Sequence, residues 1–179
     1  MTRARAGDLD AYAVLVARYS ALAHRTAYLL GAGSNAEDVV QEAFVKGFRA
    51  LKGFRPDGSF RPWLLRIVAN ETRNLHRSVR RRSALELRVA GLSDQVDRRD
   101  PESVTISEAS RIALLDAVRA LPEKDGLVVT CRYFLELSES ETAEMLGWPP
   151  GTVKSRLSRA LAKLRPVLAR RLGEEATRD

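Results

Sequence analysis

From Leu9 to Leu30 apolar residues return every three or four positions, at Leu9, Tyr12, Leu15, Val16, Tyr19, Ala23, Ala27 and Leu30. That is the period of a helix burying one face. Gly31-Ala32-Gly33 ends the run, and Ser34 with Glu37 has the spacing of a capping box opening the next helix. This second helix reaches about Leu51 with Val40, Phe44, Gly47, Phe48 and Leu51 inward. Pro56, Asp57 and Gly58 mark a loop over 52–59. A third helix opens near Pro62, a tolerated first-turn position, and turns Leu64, Leu65, Val68, Thr72 and Leu75 inward. Tyr28, Leu29 and Cys131 read as core residues, and His24 and His76 as ordinary polar ones. After Arg82 the rhythm fades, and 83–107 reads as a linker with one short helix in its first third.

Helical rhythm resumes at Ile112, Leu114, Leu115, Val118 and Leu121, breaks at Pro122, and returns from Leu127 to Leu135. Ser138-Glu139-Ser140-Glu141 is a second capping box, opening a short helix through Ala143, Met145 and Leu146. Gly147 and Trp148-Pro149-Pro150-Gly151 form a turn, and a basic helix runs from Thr152 past Leu164. This is helix-turn-helix spacing. With Val153, Leu157, Ala160, Leu161 and Leu164 inward, Thr152, Lys154, Ser155, Arg156, Ser158 and Arg159 face out near the helix N-terminus. Such an end fits the DNA major groove, where Arg pairs bidentately with guanine and Ser, Thr and Lys meet bases or phosphates. The plain alternative is a helical hairpin with a solvated basic face.

Charge sharpens the picture. The 179 residues hold 30 Lys+Arg against 23 Asp+Glu, a net +7, which suits an anionic partner. Eight arginines and two acids lie between Arg61 and Arg88, and seven bases with no acid between Thr152 and Leu172. Ser93–Glu108 between them carries five acids, so two separate polyanion contacts are favoured over one. One cysteine excludes an internal disulfide, and two histidines with it leave no His/Cys metal cluster. No apolar run approaches the roughly 20 residues of a membrane span, and no signal peptide is read at the N-terminus. The expectation is a cytoplasmic protein with no catalytic residues, metal or cofactor.

The segment ALPEKDGLVVTCRYFLELSESETAEMLGWPPGTVKSRLSRALAKLR resembles region 4 of bacterial sigma factors. GDLDAYAVLVARYS, AEDVVQEAFVKGFRAL and FRPWLLRIVANETRN resemble region 2. The compact order, region 2, linker, region 4, is similar to the extracytoplasmic-function (ECF) group. The resemblance implies an all-α fold of two small helical domains joined by a flexible linker. Its boundaries are 1–82 for region 2, 83–108 for the linker, 109–173 for region 4 and 174–179 for a tail. It implies core RNA polymerase and promoter DNA as partners, with an anti-sigma protein a further candidate and no membrane insertion.

Asp38, Gln41, Glu42 and Val45 lie opposite the apolar stripe of the second helix, an acidic-polar patch in a basic protein. The resemblance makes it the surface that docks on core polymerase. The third helix offers Arg61, Trp63, Arg66, Asn70, Arg73, Asn74 and Arg77 on or near its outer side. Arginines there track phosphates and Asn bonds base edges, while Trp63 either completes the core or stacks on an unpaired base. The loop ahead of it, with Phe54, Arg55 and Ser59, resembles the family segment that captures a base flipped from the −10 strand. Thr152, Lys154, Ser155, Arg156, Ser158 and Arg159 would then read the −35 element. The resemblance also leads the acidic linker toward the polymerase cleft, as a polyanion mimic or a plain tether. Two departures stand out: Pro149-Pro150 where a Ser or Thr cap is usual, and Gly126 in place of a long side chain. The competing reading is a conventional helix-turn-helix regulator that ignores core polymerase.

Overall fold

The computed structural model describes residues 1–55, 57–90 and 116–175, with only the helical backbone for 83–90 and 170–175. Among the described residues every regular element is helical. They form two compact units, one of residues 1–90 with 143–147 and one of 116–142 with 148–175.

The N-terminal unit holds a short α1 (Thr2–Arg5), α2 (Leu9–Leu29), α3 (Ala36–Ala50) and α4 (Phe60–Ala90). Asp8 caps α2, its carboxylate accepting from the Ala11 N–H at 2.9 Å. The core joins Tyr12, Ala23 and Ala27 of α2, Val40, Ala43 and Phe44 of α3, and Leu64 and Val68 of α4. Leu64, Leu65 and Val68 are wholly buried, each contributing about 1.5–3 kcal/mol of transfer free energy. Gly47 is where α2 meets α3 closely, since a Cβ there would sit 3.0 Å from the Tyr12 hydroxyl. That hydroxyl donates to the Phe44 carbonyl at 2.6 Å.

Several expectations are corrected here. Ser34 lies inside a 3-10 turn, Gly33–Asn35, and α3 starts at Ala36 without a side-chain cap, so no capping box forms at Ser34–Glu37. Tyr28 is 41% exposed and belongs to the surface, and Leu9, at the first turn of α2, is exposed as well. The third helix begins at Phe60 and runs without a break to Ala90, past the expected end at Arg82 and into the segment read as linker. The acidic stretch 93–108 lies outside the described residues.

In the C-terminal half of the chain, helical residues 116–119 precede α5 (Glu123–Val129) and a π-helical turn, Thr130–Phe134. Then come α6 (Glu139–Leu146) and the long α7 (Pro150–Glu175). Ala117, Val118, Val129, Ala160 and Leu164 form a buried cluster. Gly126 allows close approach: a Cβ there would meet the Val118 carbonyl at 3.1 Å. Cys131 is fully buried, and burial pushes its thiol up to about 12, so it stays protonated as a core residue.

Candidate polymerase and nucleic-acid surfaces

On α3, Asp38, Gln41, Glu42 and Val45 are all exposed, opposite buried Val39, Val40, Ala43 and Phe44. The helical period dictates this separation. A shallow groove of about 280 Å³ borders the patch, lined by Asp38, Glu42, Glu71 and Asn74 among others. Lys46 bridges two of these acids, donating to Glu71 at 2.5 Å and pairing with Glu42 at 3.2 Å. The Glu71 hydrogen bond is the main influence holding the Lys46 ammonium above its ordinary range; desolvation opposes it, and the Glu42 hydrogen bond adds to the rise.

Along α4, Arg66, Asn70, Arg73, Asn74 and Arg77 are exposed, and Arg61 is partly buried. The row is preorganised: Arg73 donates to the Asn70 side-chain oxygen at 2.8 Å and Asn74 to Glu71 at 3.4 Å. Sequence reading stopped the row at Arg77, yet Arg80 and Arg81 join Asn74 and Arg77 around a second open groove of about 380 Å³. The signal was present as i, i+3 and i+4 spacing from Arg77.

The loop before α4 differs from expectation. Phe54 is only 5% exposed, with its ring 5.1 Å from Trp63 and 6.1 Å from Phe60. It is a core residue, not an open contact for a base. Trp63 packs half-buried on the same cluster, 5.4 Å from Phe60. Arg55 and Ser59 remain exposed. The Gly58 N–H closes the turn onto the Arg55 carbonyl at 3.1 Å.

The second capping box forms as its spacing predicts. The Ser138 hydroxyl accepts from the Glu141 N–H at 3.1 Å, and the Glu141 carboxylate accepts from the Ser138 N–H at 2.8 Å. Gly147 ends α6 with φ +68, a left-handed conformation that favours glycine. Pro150 takes the first turn of α7, and the Pro149 carbonyl accepts from Thr152 at 2.9 Å. Two successive prolines therefore start the helix without a side-chain cap.

Lys154, Ser155, Ser158 and Arg159 are exposed on α7, and Thr152 is half-buried. Arg156 is not among the outward residues. Its Nη1 pairs with Oδ1 of buried Asp125 at 3.1 Å, and its guanidinium lies over the Trp148 ring, 5.4 Å from the centroid. Lys163 donates to the other Asp125 oxygen at 2.8 Å. The reason is helical phase. Arg156 is three residues after buried Val153 and four before buried Ala160, so it lies in the inward arc, and Lys163 follows two turns later. Asp125 was missed because an acid inside an α5 otherwise read by its apolar positions carries no signal of its own.

The described residues thus present an exposed acidic-polar patch on α3, a basic row on α4, and a capped α6 that leads through a proline turn into the basic α7. Residues 15–82 match Sigma-70 region 2, and residues 111–164 match Sigma-70, region 4. The ECF RNA polymerase sigma-E factor of Escherichia coli (strain K12) is 33% identical over 184 residues, covering 94% of both chains. The ECF RNA polymerase sigma factor BldN of Streptomyces coelicolor is 36% identical over 174 residues, covering 94% of this chain and 65% of that one. Among solved structures, CnrH in complex with the cytosolic domain of CnrY superimposes with a TM-score of 0.70 at 28% identity, covering 94% of each chain. The chain belongs to the ECF group of the sigma-70 family of RNA polymerase sigma factors. Its function is promoter-specific transcription initiation with core RNA polymerase. Among the described residues no helix is long and apolar enough to cross a membrane.

Proposed function

We propose that each step of initiation falls to a particular surface of this chain. Asp38, Gln41, Glu42 and Val45 dock on core polymerase. Arg55, Ser59, Arg61, Arg66, Asn70, Arg73, Asn74 and Arg77 serve the −10 element, with Phe54 and Trp63 supporting the loop from beneath. Thr152, Lys154, Ser155, Ser158 and Arg159 read the −35 element. Residues 1–82 act as the region 2 domain and 109–173 as region 4, with 83–108 between them and 174–179 as a tail. The protein works by binding rather than by its own catalysis, in the cytoplasm where polymerase and promoters meet. An anti-sigma protein is a further partner, in keeping with CnrH, whose structure is a complex with the cytosolic domain of CnrY.

The observation that carries this reading is the exposed acidic-polar face of α3 in a chain of net +7. A regulator that only binds DNA would leave such a face merely solvated, whereas the match to Sigma-70 region 2 gives it a partner. The test is assembly with core polymerase in the absence of DNA, followed by transcription in vitro and mapping of start sites. Stable assembly and a defined start-site set are expected. Failure to bind core without DNA returns the chain to the class of simple helix-turn-helix regulators.

A further inference from the structure

Asp125 is the one acid among the described residues with a side chain nearly buried, at 5% exposure, and two cations. Both come from α7, two turns apart, and each takes a different carboxylate oxygen. Arg156 keeps 24% of its side chain exposed and Lys163 49%, so neither is sealed from solvent. Both could swing to a phosphate were the carboxylate absent. A buried acid paired this way fixes the rotation of the helix that carries its partners, because turning α7 would strip a desolvated charge of its hydrogen bonds. The Trp148 ring, at the start of the turn into α7, closes over the guanidinium from another side.

We propose that Asp125 is a positioning residue for −35 recognition: it holds Arg156 and Lys163 against α5, withholding two cations from DNA and fixing which face of α7 reads bases. This rests on α7 being the −35 helix. The carboxylate removes charge that would otherwise bind any phosphate, so the contacts left to Lys154, Ser155, Ser158 and Arg159 weigh more in the choice of sequence. Specificity is a difference of affinities, and suppressing indiscriminate contacts raises it.

The experiment uses the holoenzyme assembled on core RNA polymerase and a duplex pool randomised at −35. Wild type, Asp125→Asn, Asp125→Glu, Lys163→Ala, Asp125→Asn/Lys163→Ala and Arg159→Ala are compared. Selected sequences and the salt dependence of binding to the wild-type consensus are read for each. Asp125→Asn should flatten the selected −35 sequence and steepen the salt slope by about 1 for each freed cation that gains a phosphate. Lys163→Ala alone should leave the slope unchanged, whereas added to Asp125→Asn it should take back about 1. Asp125→Glu should keep much of the wild-type preference. A fall of about 1 in slope for Lys163→Ala in the wild-type background overturns the proposal, because Lys163 would then already sit on DNA. So does an Asp125→Asn holoenzyme with unchanged slope and selection. Lys163→Ala removes an exposed-end side chain and needs no tolerance of the Asp125 change, so it decides the question even where Asp125→Asn folds poorly. Arg159→Ala separates the two levels: selection unchanged by that variant overturns the −35 reading of α7 itself.

Discussion

Lys46 Nζ on α3 lies 2.5 Å from Glu71 Oε2 on α4, with the Glu71 side chain only 11% exposed. The bridge ties the helix that carries the docking patch to the helix that carries the basic row. Lys46→Met leaves the Glu71 carboxylate little solvated, with Asn74 at 3.4 Å as a weak remaining donor. Orphaning such a group costs about 1–3 kcal/mol. Thermal unfolding of Lys46→Met should show a clear loss of stability, and a melting curve identical to wild type would mean that the bridge is not formed in solution.

Asp38 is exposed at the first turn of α3, and no ion pair holds it among the described residues. Charge reversal there gives up a small favourable interaction with the helix dipole, about 0.3–1 kcal/mol. Asp38→Lys should therefore leave helicity nearly unchanged while weakening assembly with core polymerase several-fold. Titration of labelled protein with core polymerase reads this directly, and wild-type affinity would remove Asp38 from the docking surface.

Phe54 offers a sharper separation of packing from recognition. Its ring fills the space between Phe60 and Trp63, and emptying such a site costs about 3–5 kcal/mol. Phe54→Ala should destabilise the N-terminal unit by that order in chemical denaturation. Phe54→Leu, which keeps most of the volume, should recover much of the stability and of −10 opening. Opening lost in a Phe54→Leu protein of near wild-type stability would assign the ring a direct role on DNA.

How far the sequence was legible follows from what each residue's signal measures. Apolar periodicity reports which arc of a helix is buried, so Val40, Phe44, Leu64, Val68, Val153, Ala160 and Leu164 were readable. The capping box at Ser138–Glu141 was readable because both of its partners are local. The identical spacing at Ser34–Glu37 failed because Gly33, at φ +54, starts a 3-10 turn that moves the helix start to Ala36. Arg156 was placed outward together with every non-apolar position of the helix start, although its phase between Val153 and Ala160 points inward. Only the acid at Asp125, 31 residues away in sequence, explains how a cation is accommodated there. Phe54 was assigned by resemblance to a loop, and tertiary packing of three aromatic rings decided otherwise.

The pH dependence of the C-terminal unit should carry the signature of Asp125. The Lys163 hydrogen bond is the main influence that lowers this carboxyl below its ordinary 3.8; desolvation opposes it, and Arg156 adds to the lowering. A carboxyl depressed in the folded state stabilises the fold fully above its unfolded value and ceases to do so as pH falls through its folded value. The unfolded chain binds the proton first, so stability falls as pH drops from about 4 downward. Many carboxylates contribute to acid unfolding, so the informative quantity is the difference in unfolding free energy between wild type and Asp125→Asn. That difference should be flat from neutral pH to about pH 5 and shrink below pH 4 as the wild-type carboxyl is protonated. Denaturant titrations at a series of pH values measure it. A difference that stays constant down to pH 2, with both proteins still folded, would mean that Asp125 is not held by Lys163 and Arg156.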